Sequence, residues 1–483
     1  MAASKTLTAK NLEALGAERL AALLMEIGTG NAVIKRRLRL ELAGQASPRE
    51  VANAVRKRLA AIDRARGFVD WQNRRALVDD LEVQHRAIVD PLAKADPAEA
   101  LDLMWRFVAL ANGIFARCDD SSGAVAGVFD GAVASLGRIA EAARADPRDL
   151  AERTFQALLQ NGYGQHDTLI AALTPALGAV GLAHLKTRML AAQREPVRKV
   201  ADADRQLIAW SSTGPIHADE LENSSRRRAM QLALMAIADA QGDVDGYIAQ
   251  QDESARKMPR IAAGIATRLL AAGRADEAWQ MLEAAQHRRG GGSDDDWPDY
   301  EWEDARIAVM EARGQAGDAQ AARWSCFERA LSAPHLRAYL KRLPDFEDVE
   351  AESRALDLVC KHHHVLAALA FLVSWPALDR AAALVHARAG EIDGNRYEIL
   401  SPAANALAGR HPLAATVLLR AMIDFTLDHA RASRYRHAAR HLADCGGLAA
   451  SIADFGGRET HDVYAARLRA AHGRKAAFWS LVG

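Results

Sequence analysis

Apolar residues recur every three to four positions along almost the whole chain. The first run consists of Leu12, Leu15, Leu20, Leu23, Leu24 and Ile27. This spacing places apolar side chains on one face of an α-helix and polar side chains on the other. No segment with the apolar–polar alternation of a half-buried strand separates these runs. The pattern therefore predicts a succession of amphipathic helices.

Short polar segments separate the predicted helices. Ser47-Pro48 and Asp96-Pro97 each combine an N-cap residue with proline at the first helical position. This order is favourable because the cap side chain accepts a free backbone N–H and proline has no N–H to leave unpaired. Helices joined by short turns without strands pack as stacked antiparallel pairs. We therefore predict an all-α fold, an irregular antiparallel helix-hairpin array of the TPR-like or HEAT-like α-solenoid kind.

The second half of the chain contains imperfect internal repeats. Leu270–Trp279 is echoed by Ala406–Ala415, and each segment has the pattern of a helix end, a Gly-Arg turn and a new helix. A third copy, Gly317–Pro334, follows the small-residue, aromatic, alanine and proline order of a tetratricopeptide unit. The predicted turns at 273, 317 and 409 are unevenly spaced, so the array is expected to be irregular.

The chain is long enough for two or three hydrophobic cores, since 483 residues are several times the usual length of one domain. Gln286–Pro298 combines a glycine run with opposed charges and is predicted to be an exposed loop. Glu195–Pro215 holds two polar segments on either side of a short predicted helix. We place boundaries near 150 and 290. The predicted regions are an N-terminal helical domain (1–150), a middle helical region (151–289) and C-terminal TPR-like repeats (290–483).

Composition excludes two broad classes of protein. Hydrophobic residues make up 50% and charged residues 26% of the chain, which excludes a wholly disordered protein. Alanine and leucine dominate while aromatic residues are only 6%, which favours helices over strands. No uncharged apolar run of about eighteen residues is present, so no membrane-spanning segment is predicted.

The expected location is the cytoplasm. The N-terminal residues lack the basic and apolar regions of a signal peptide. The chain has four cysteines without paired spacing, namely Cys118, Cys326, Cys360 and Cys445. Scattered cysteines of this kind indicate reduced thiols rather than a disulfide framework.

Charge is balanced overall, with 62 basic and 62 acidic residues, but it is unevenly distributed. Between Lys35 and Arg66 there are ten basic residues and three acidic ones, whereas Asp294–Asp304 has seven acidic residues and no basic one. Basic side chains on one face of adjacent helices could bind a partner or neutralise phosphates. The candidate residues are Arg36, Arg39, Arg56, Lys57 and Arg58. The favoured alternative is a solvated face, or pairing with acids of the same chain.

Two histidine-containing patterns suggest metal ligands. His437, His441 and Cys445 follow one another at four-residue intervals on one predicted helical face. Positions two turns apart are about 12 Å apart along the axis, so all three cannot reach one zinc ion in an unbroken helix. In Cys360–His364 the consecutive side chains point in different directions. We therefore predict no metal site, no cofactor and no catalytic residue.

Asn161–Asp167 is predicted to be a structural turn at a helix C-terminus. It contains Gly162 and Gly164, and glycine supplies the left-handed backbone conformation that such turns use. We favour this structural interpretation over a binding role.

Several segments resemble an uncharacterised family of alphaproteobacterial proteins. They are Thr6–Gly16, Arg36–Leu42, Asn161–Gly164 with Asp167, and His411–Ala415. The resemblance extends over most of the chain and implies no assigned function.

The segment from about 390 to the C-terminus is similar to the helical arrays of SWIM zinc-finger proteins. The similarity is greatest in Tyr435–Leu442 and Arg474–Phe478. The zinc module of those proteins needs a Cys-x-Cys pair and a later Cys-x-His, and the sequence contains neither. The resemblance therefore transfers no zinc-binding or nucleic-acid-binding role.

Three hypotheses of function follow. The first is a non-catalytic helical-repeat scaffold whose groove binds a protein or peptide, because solenoids extend surface without forming a deep chemical pocket. The second is nucleic-acid binding through the basic N-terminal helices. The third is an enzyme with a dispersed site, which we favour less. The sequence does not determine the oligomeric state.

Overall fold

The computed structural model describes residues 7–30, 34–35, 37–39, 42, 47–195, 205–211, 214–285 and 299–482. Within these ranges the chain is a helical array with one small two-stranded sheet, which confirms the predicted all-α class. Contacts divide it into two units, Met1–Glu253 and Ser254–Gly483. Each unit has its own buried hydrophobic residues.

The first unit contains the helices from α1 to α12 and both strands. Their bounds are α1 Ala9–Glu13, α2 Ala17–Gly28, α3 Pro48–Arg64, α4 Arg74–Ala87, α5 Ala93–Ala95, α6 Pro97–Ala109, α7 Ala111–Phe115, α8 Ala124–Ala142, α9 Pro147–Leu159, α10 Leu169–Arg194, β1 Leu207–Ser211, β2 Gly214–His217, α11 Ala218–Gln241 and α12 Val244–Ala249. A π-helical turn, Ile88–Leu92, joins α4 to α5.

Helices α13 to α26 follow, the first of them at the boundary between the units. Their bounds are α13 Glu253–Arg256, α14 Pro259–Ala271, α15 Ala275–Ala284, α16 Tyr300–Ala312, α17 Ala316–Ala330, α18 Ala333–Leu340, α19 Glu347–Lys361, α20 Val365–Ser374, α21 Leu378–Ala387, α22 Tyr397–Leu407, α23 Pro412–Asp428, α24 Tyr435–Ala449, α25 His461–His472 and α26 Ala476–Trp479. Short 3₁₀ turns, Ala389–Glu391 and Ala432–Arg434, precede α22 and α24.

The predicted helix starts are confirmed. Ser47 Oγ accepts the N–H of Glu50 at 3.2 Å, and the Asp96 carboxylate accepts the N–H of Glu99 at 3.1 Å. In both cases proline occupies the first helical position. Each cap satisfies a backbone donor that the first helical turn leaves free, so these residues fix where α3 and α6 begin.

In the first unit, α8 and α10 cross in close contact at Gly137. A β-carbon added to Gly137 would lie 2.1 Å from the carbonyl oxygen of Ala172, which no real side chain could tolerate. Three aromatic rings from α6, α7 and α8 pack together in the same core, with the centroid of Phe129 5.5 Å from that of Phe107 and 5.6 Å from that of Phe115. The core therefore combines bulky rings with a glycine contact that brings two helix backbones together.

The boundaries in the structure differ from those predicted near 150 and 290. Helices α9, α10 and α11 pack on one another within the first unit, so the core continues beyond residue 150. Helices α14 and α15 pack against α16, which connects the two sides of residue 290. Shared packing of this kind joins segments that a polar loop separates in sequence.

Helix α10 corrects the expectation that the chain has no apolar segment of membrane-spanning length. Leu169–Arg194 has a mean hydropathy of 1.5. Judged by length and composition alone, it is long and apolar enough to cross a membrane. However, Gly178 has non-helical angles, φ 53° and ψ −168°, which divide the helix shortly after Pro175. Its buried leucines contribute to the first core, and the helix packs against α8, α9 and α11. One side of the helix therefore belongs to the first core, and 39% of its apolar window is buried.

The prediction of a short helix before residue 211 is wrong. Leu207–Ser211 is a strand that pairs antiparallel with Gly214–His217, with Trp210 opposite Pro215. The run Leu-Ile-Ala-Trp contains a β-branched and an aromatic residue, both favourable in strands. Gly214, at φ 130°, adopts a backbone conformation that favours glycine and allows the chain to reverse. Trp210 remains exposed.

In the second unit each helix from α14 to α24 packs against the next, and many also pack against the next but one. Gly273 lies between α14 and α15 with φ 76°, at a turn predicted from the repeats. The turn predicted at Gly317 is instead at Gly314, which has φ 75°. Gly317 belongs to the first turn of α17, where the following Asp318 carboxylate is favoured by the helix dipole.

Phe346 precedes α19 in a strained conformation, with φ 73° and 85% of its surface exposed. A bulky residue in the left-handed region is less stable than glycine by about 1–2 kcal/mol. Glycine also increases the entropy of the unfolded chain, which offsets part of the gain. We therefore expect Phe346→Gly to raise the free energy of unfolding by about 0.5–1 kcal/mol, measured by urea denaturation. The control Phe68→Gly, at another exposed phenylalanine, should not be stabilising, and equal effects would contradict this explanation.

His85 of α4 is expected to make stability depend on pH. Burial lowers its pKa from the ordinary 6.5, and the cations of Arg138 and Arg86 act in the same direction. Its Nε2 lies 3.0 Å from Ser135 Oγ, which itself donates to a backbone carbonyl, so Nε2 carries the proton of the neutral ring. Glu82, which lies beside His85, forms an ion pair with Arg86.

Because the folded state disfavours protonated His85, its contribution is present above pH 6.5 and is lost as pH falls through the depressed pKa of the folded state. The slope from one such group is at most about 1.4 kcal/mol per pH unit. His85→Gln retains an N–H donor for Ser135 and should flatten the pH dependence of stability below pH 6.5. Urea denaturation at a series of pH values measures the free energy of unfolding of the unsubstituted chain and of His85→Gln. The same pH dependence in both proteins would contradict the role of His85.

Candidate functional site

The basic residues singled out in the N-terminal stretch do not form one free cationic face. Arg36 lies outside the described residues, and Arg39 and Lys57 are exposed. Arg56 forms an ion pair with Glu99 of α6 and also donates to Asn53 at 2.8 Å. The Arg58 Nε donates to the Asp80 carboxylate of α4 at 2.8 Å.

These ion pairs reduce the positive charge that Arg56 and Arg58 could offer to a phosphate. Asp80 is buried, so the Arg58 guanidinium compensates a carboxylate that has lost its hydration. A phosphate would compete with Glu99 and Asp80 for the charges of the two guanidinium groups. The contacts therefore tie α3 to α4 and α6, which is the pairing within the chain that the sequence analysis favoured over phosphate binding.

A groove of about 860 Å³ lies along α17, α18 and α19 in the second unit. The exposed face of α17 contributes small side chains at four-residue intervals, those of Gly317, Ala321 and Ser325. Residues four apart lie on one face of a helix, so their small size leaves the groove open along α17. The other walls come from Tyr339 of α18 and from α19.

Trp324 is the large aromatic side chain of this groove. It is half-buried, with its ring centroid 5.4 Å from Phe327 in an edge-to-face arrangement and 5.2 Å from Tyr339. The Arg354 guanidinium of α19 lies 5.0 Å from the centroid of the same ring. These contacts hold the indole in one orientation while part of its surface faces the groove.

Polar side chains along the groove include both signs of charge. Lys361 and Arg354 are basic, and Glu328 and Asp357 are acidic. Asp357 forms an ion pair with Arg380 of α21, so its negative charge is compensated. The remaining balance along the groove is positive, with two basic groups and one acidic group.

A second, separate cavity of about 420 Å³ lies among α22, α23 and α24. Leu419 and Met422 of α23 and Ala438 of α24 form an apolar surface within it. Its polar lining residues are Tyr397, Ser401, Asn405, Thr426, Ser433, Arg434, His437, Arg440, His441 and Asp444. A concave site with an apolar surface and several polar groups is the usual form of a small-ligand site.

Residues 2–481 match a family of unknown function, DUF6880. The chain belongs to this family. No curated protein matches it. The match extends across both units, which agrees with the expected likeness to an uncharacterised family over most of the chain. The DUF6880 description assigns no activity, so function in this chain has to be inferred from its own residues.

The metal candidates of this DUF6880 protein do not come together. His437 and His441 line the second cavity, whereas Cys445 of α24 is fully buried in the hydrophobic core of the second unit. Burial raises the pKa of the Cys445 thiol to about 12, which opposes the thiolate form that zinc requires. Among the described residues, no group of three or more His, Cys, Asp or Glu side chains could hold a metal ion.

The tract His362–His364 lies between α19 and α20. Its rings are mutually close, with centroids 3.9–5.8 Å apart. Arg388 donates to the backbone carbonyls of His362 and His363, so the tract is fixed by its backbone. Burial lowers the pKa of His362. The nearby Cys360 thiol has a raised pKa, mainly because of burial, so it is a poor nucleophile near neutral pH.

The turn at Asn161–Asp167 is an internal hydrogen-bond network. Asn161 Nδ2 donates to the Asp167 carboxylate at 2.6 Å, and Asn161 Oδ1 accepts the N–H of His166 at 2.8 Å. Gln165 Nε2 donates to Asn112 Oδ1 at 2.7 Å, which joins the turn to α7. Gly164 has φ 77°, the left-handed conformation expected of such a turn. These hydrogen bonds hold the turn together, which agrees with the structural interpretation, although the buried His166 Nδ1 has no hydrogen-bond partner among the described residues.

Ser332, His335 and Asp304 have the composition of a catalytic triad. His335 Nδ1 lies 2.7 Å from Ser332 Oγ, and its Nε2 lies 3.0 Å from the Asp304 carboxylate. Ser332 and His335 are both buried, whereas a nucleophilic serine must be reached by its substrate. The ring of His335 also stacks on Tyr300 at 5.8 Å. The contacts therefore attach α18 to α16.

The sequence analysis did not identify the groove residues, and of the cavity residues it named His437 and His441 alone, as metal candidates. A usable signal for the groove was the small, exposed stripe on α17 beside Trp324, since an ordinary solvent-facing helix surface carries long charged side chains. The cavity had a weaker signal. Arg434 and Arg440 lie close to His437 and His441 in sequence, but only the packing of α22 and α23 makes that face concave.

Proposed function

We propose that this chain is a non-catalytic helical-repeat scaffold that binds a protein or peptide segment in the groove of α17, α18 and α19. The observation that carries the proposal is the half-buried Trp324, held between Phe327, Tyr339 and Arg354 beside a face of small side chains. Fixed aromatic anchors surrounded by polar groups are typical of protein-binding hot spots.

The charges of the groove indicate the chemistry of its partner. With Asp357 paired to Arg380, the groove offers Arg354 and Lys361 against Glu328. A partner segment that carries an apolar side chain for Trp324 and an acidic side chain for Lys361 matches this surface. We propose that the partner presents these two side chains on a linear peptide or on an exposed helix.

A second line of support concerns location. All four cysteines are free, including Cys326 and Cys445, which are buried. Free thiols persist where the environment is reducing, and we therefore propose a cytoplasmic protein that recognises cytoplasmic partners. The nucleic-acid alternative has less support, because Glu99 and Asp80 already neutralise Arg56 and Arg58.

The proposal is tested by selecting peptides from a random library on the full chain and measuring the dissociation constant of the enriched peptide. Trp324→Ala is expected to weaken binding by at least about tenfold, since loss of a hot-spot side chain costs about 2 kcal/mol or more. Trp71→Ala serves as the matched control because Trp71 is an exposed tryptophan of the first unit. It should leave the affinity unchanged.

Charge reversal at an exposed lysine distinguishes an effect on peptide binding from an effect on the stability of the fold. Lys361→Glu changes an exposed side chain of the groove, whereas Lys341→Glu changes an exposed lysine that is not among the groove residues. We expect weaker binding of acidic peptides in the first variant alone. Failure to enrich any peptide, or equal losses for Trp324→Ala and Trp71→Ala, would overturn the proposal.

A further inference from the structure

The cavity among α22, α23 and α24 is separate from the groove and is unused by the proposed scaffold. Its volume of about 420 Å³ lies within the range of about 300–1,000 Å³ typical of small-molecule sites. Apolar side chains of Leu419 and Met422 face a rim of polar groups from α24. This combination suits a ligand with an apolar body and one polar end.

The polar end of the cavity is cationic. Arg434 and Arg440 line it, and Asp444 is the acidic residue among its lining groups. Arg434 Nη1 donates to the neutral amide of Asn395 at 2.9 Å, and its guanidinium lies 4.7 Å from the centroid of the Tyr397 ring. These two contacts orient the cation, and Glu398, an acid that interacts with it, is already ion-paired to Arg396.

Arg440 is the second cation, and its side chain has no acidic partner within 4 Å in the part of the chain that the structure describes. It differs in this respect from Arg396 and Arg467 of the same unit, which pair with Glu398 and Glu459. Two guanidinium groups facing one cavity leave a positive charge there that one carboxylate does not balance.

His441 adds a polar atom with no protein partner. Its Nδ1 is buried and makes no hydrogen bond, and the nearest carboxylate oxygen, from Asp444, is 3.8 Å away. That separation is too long for a hydrogen bond. A buried ring nitrogen without a hydrogen-bond partner is unfavourable, so this part of the cavity wall holds an unsatisfied polar group.

We propose that this cavity binds a small organic anion, a carboxylate or phosphate ester whose charged group contacts Arg434 and Arg440. The apolar body of the ligand lies against Leu419 and Met422, and His437 and His441 contribute further hydrogen bonds. Guanidinium groups bind carboxylates and phosphates in the same bidentate manner, so both head groups fit the site.

The test measures binding of four probes to the full chain by isothermal titration calorimetry at constant ionic strength. Phenyl phosphate and benzoate carry an apolar ring with each anionic group, benzyl alcohol is their neutral counterpart, and inorganic phosphate lacks the ring. We expect at least one aromatic anion to bind about tenfold more tightly than benzyl alcohol, because its charged group accepts charge-assisted hydrogen bonds that the neutral hydroxyl cannot match. Inorganic phosphate should bind more weakly than phenyl phosphate.

Arg440→Gln removes the unpaired cation and should weaken binding of the aromatic anion by about tenfold. Arg436→Gln is the matched control, because Arg436 is exposed on the same helix but does not line the cavity. It should leave the affinity unchanged, as should Trp324→Ala in the separate groove. Equal binding of anions and benzyl alcohol, or equal losses in Arg440→Gln and Arg436→Gln, would overturn the proposal.

Discussion

Replacing Gly137 with alanine is expected to lower the free energy of unfolding of the first unit by about 3 kcal/mol. The added methyl group would meet the carbonyl oxygen of Ala172 at 2.1 Å and its carbonyl carbon at 2.9 Å. Both are backbone atoms, so no side-chain rotation can relieve the collision. Helices α8 and α10 would have to separate, which would loosen the packing between them.

Gly127→Ala is the matched control for this prediction. Gly127 lies on the same helix, and no atom lies within 4 Å of its added β-carbon. Alanine is favoured over glycine inside a helix by about 1 kcal/mol, so this variant should be neutral or slightly more stable. Urea denaturation followed by circular dichroism measures both. Similar stabilities for the two variants would contradict the close crossing of α8 and α10.

Phe327→Ala is expected to have the second large effect, a loss of about 3–5 kcal/mol in the second unit. Phe327 is fully buried, and its ring packs against Trp324 and also against Phe371 of α20 at 5.7 Å. Truncation removes the transfer free energy of the ring and leaves a cavity where α17 meets α20. Loss of this support should also weaken peptide binding, because Phe327 holds Trp324 in the groove.

Glu328→Ala is the control for stability because it changes the next residue, which is exposed. Its effect on the free energy of unfolding should be within about 0.5 kcal/mol. Thermal unfolding and urea denaturation measure the two variants in parallel. A loss of less than about 1 kcal/mol in Phe327→Ala would place its ring outside a well-packed core.

The local rules predicted the helices well where capping residues and proline coincide. Ser47 and Asp96 accept backbone N–H groups at the predicted positions, because a cap is determined by residues that adjoin in sequence. The strand at Leu207–Ser211 was missed, since a short apolar run can form either a helix or a strand. The turn at Gly314 was misplaced by three residues because Gly317 and Asp318 are also common in turns.

The candidate site was less predictable than the fold. Charge counting identified Arg56 and Arg58, but their partners Glu99 and Asp80 lie on other helices and could not be assigned without tertiary packing. The groove at Trp324 and the cavity at Arg440 are likewise formed by several helices. Sequence periodicity specifies which face of a helix is apolar, whereas concavity depends on how neighbouring helices cross.

Hydrogen–deuterium exchange of the full chain, with and without an enriched peptide, tests the scaffold proposal most directly. If the groove of α17, α18 and α19 holds the peptide, amide exchange should slow within residues 316–361 and remain unchanged in the N-terminal helices α3 and α4. At a peptide concentration near the dissociation constant of the unsubstituted chain, these amides should be protected much less in Trp324→Ala. Protection confined to α3 and α4, with unchanged exchange across residues 316–361, would contradict the account.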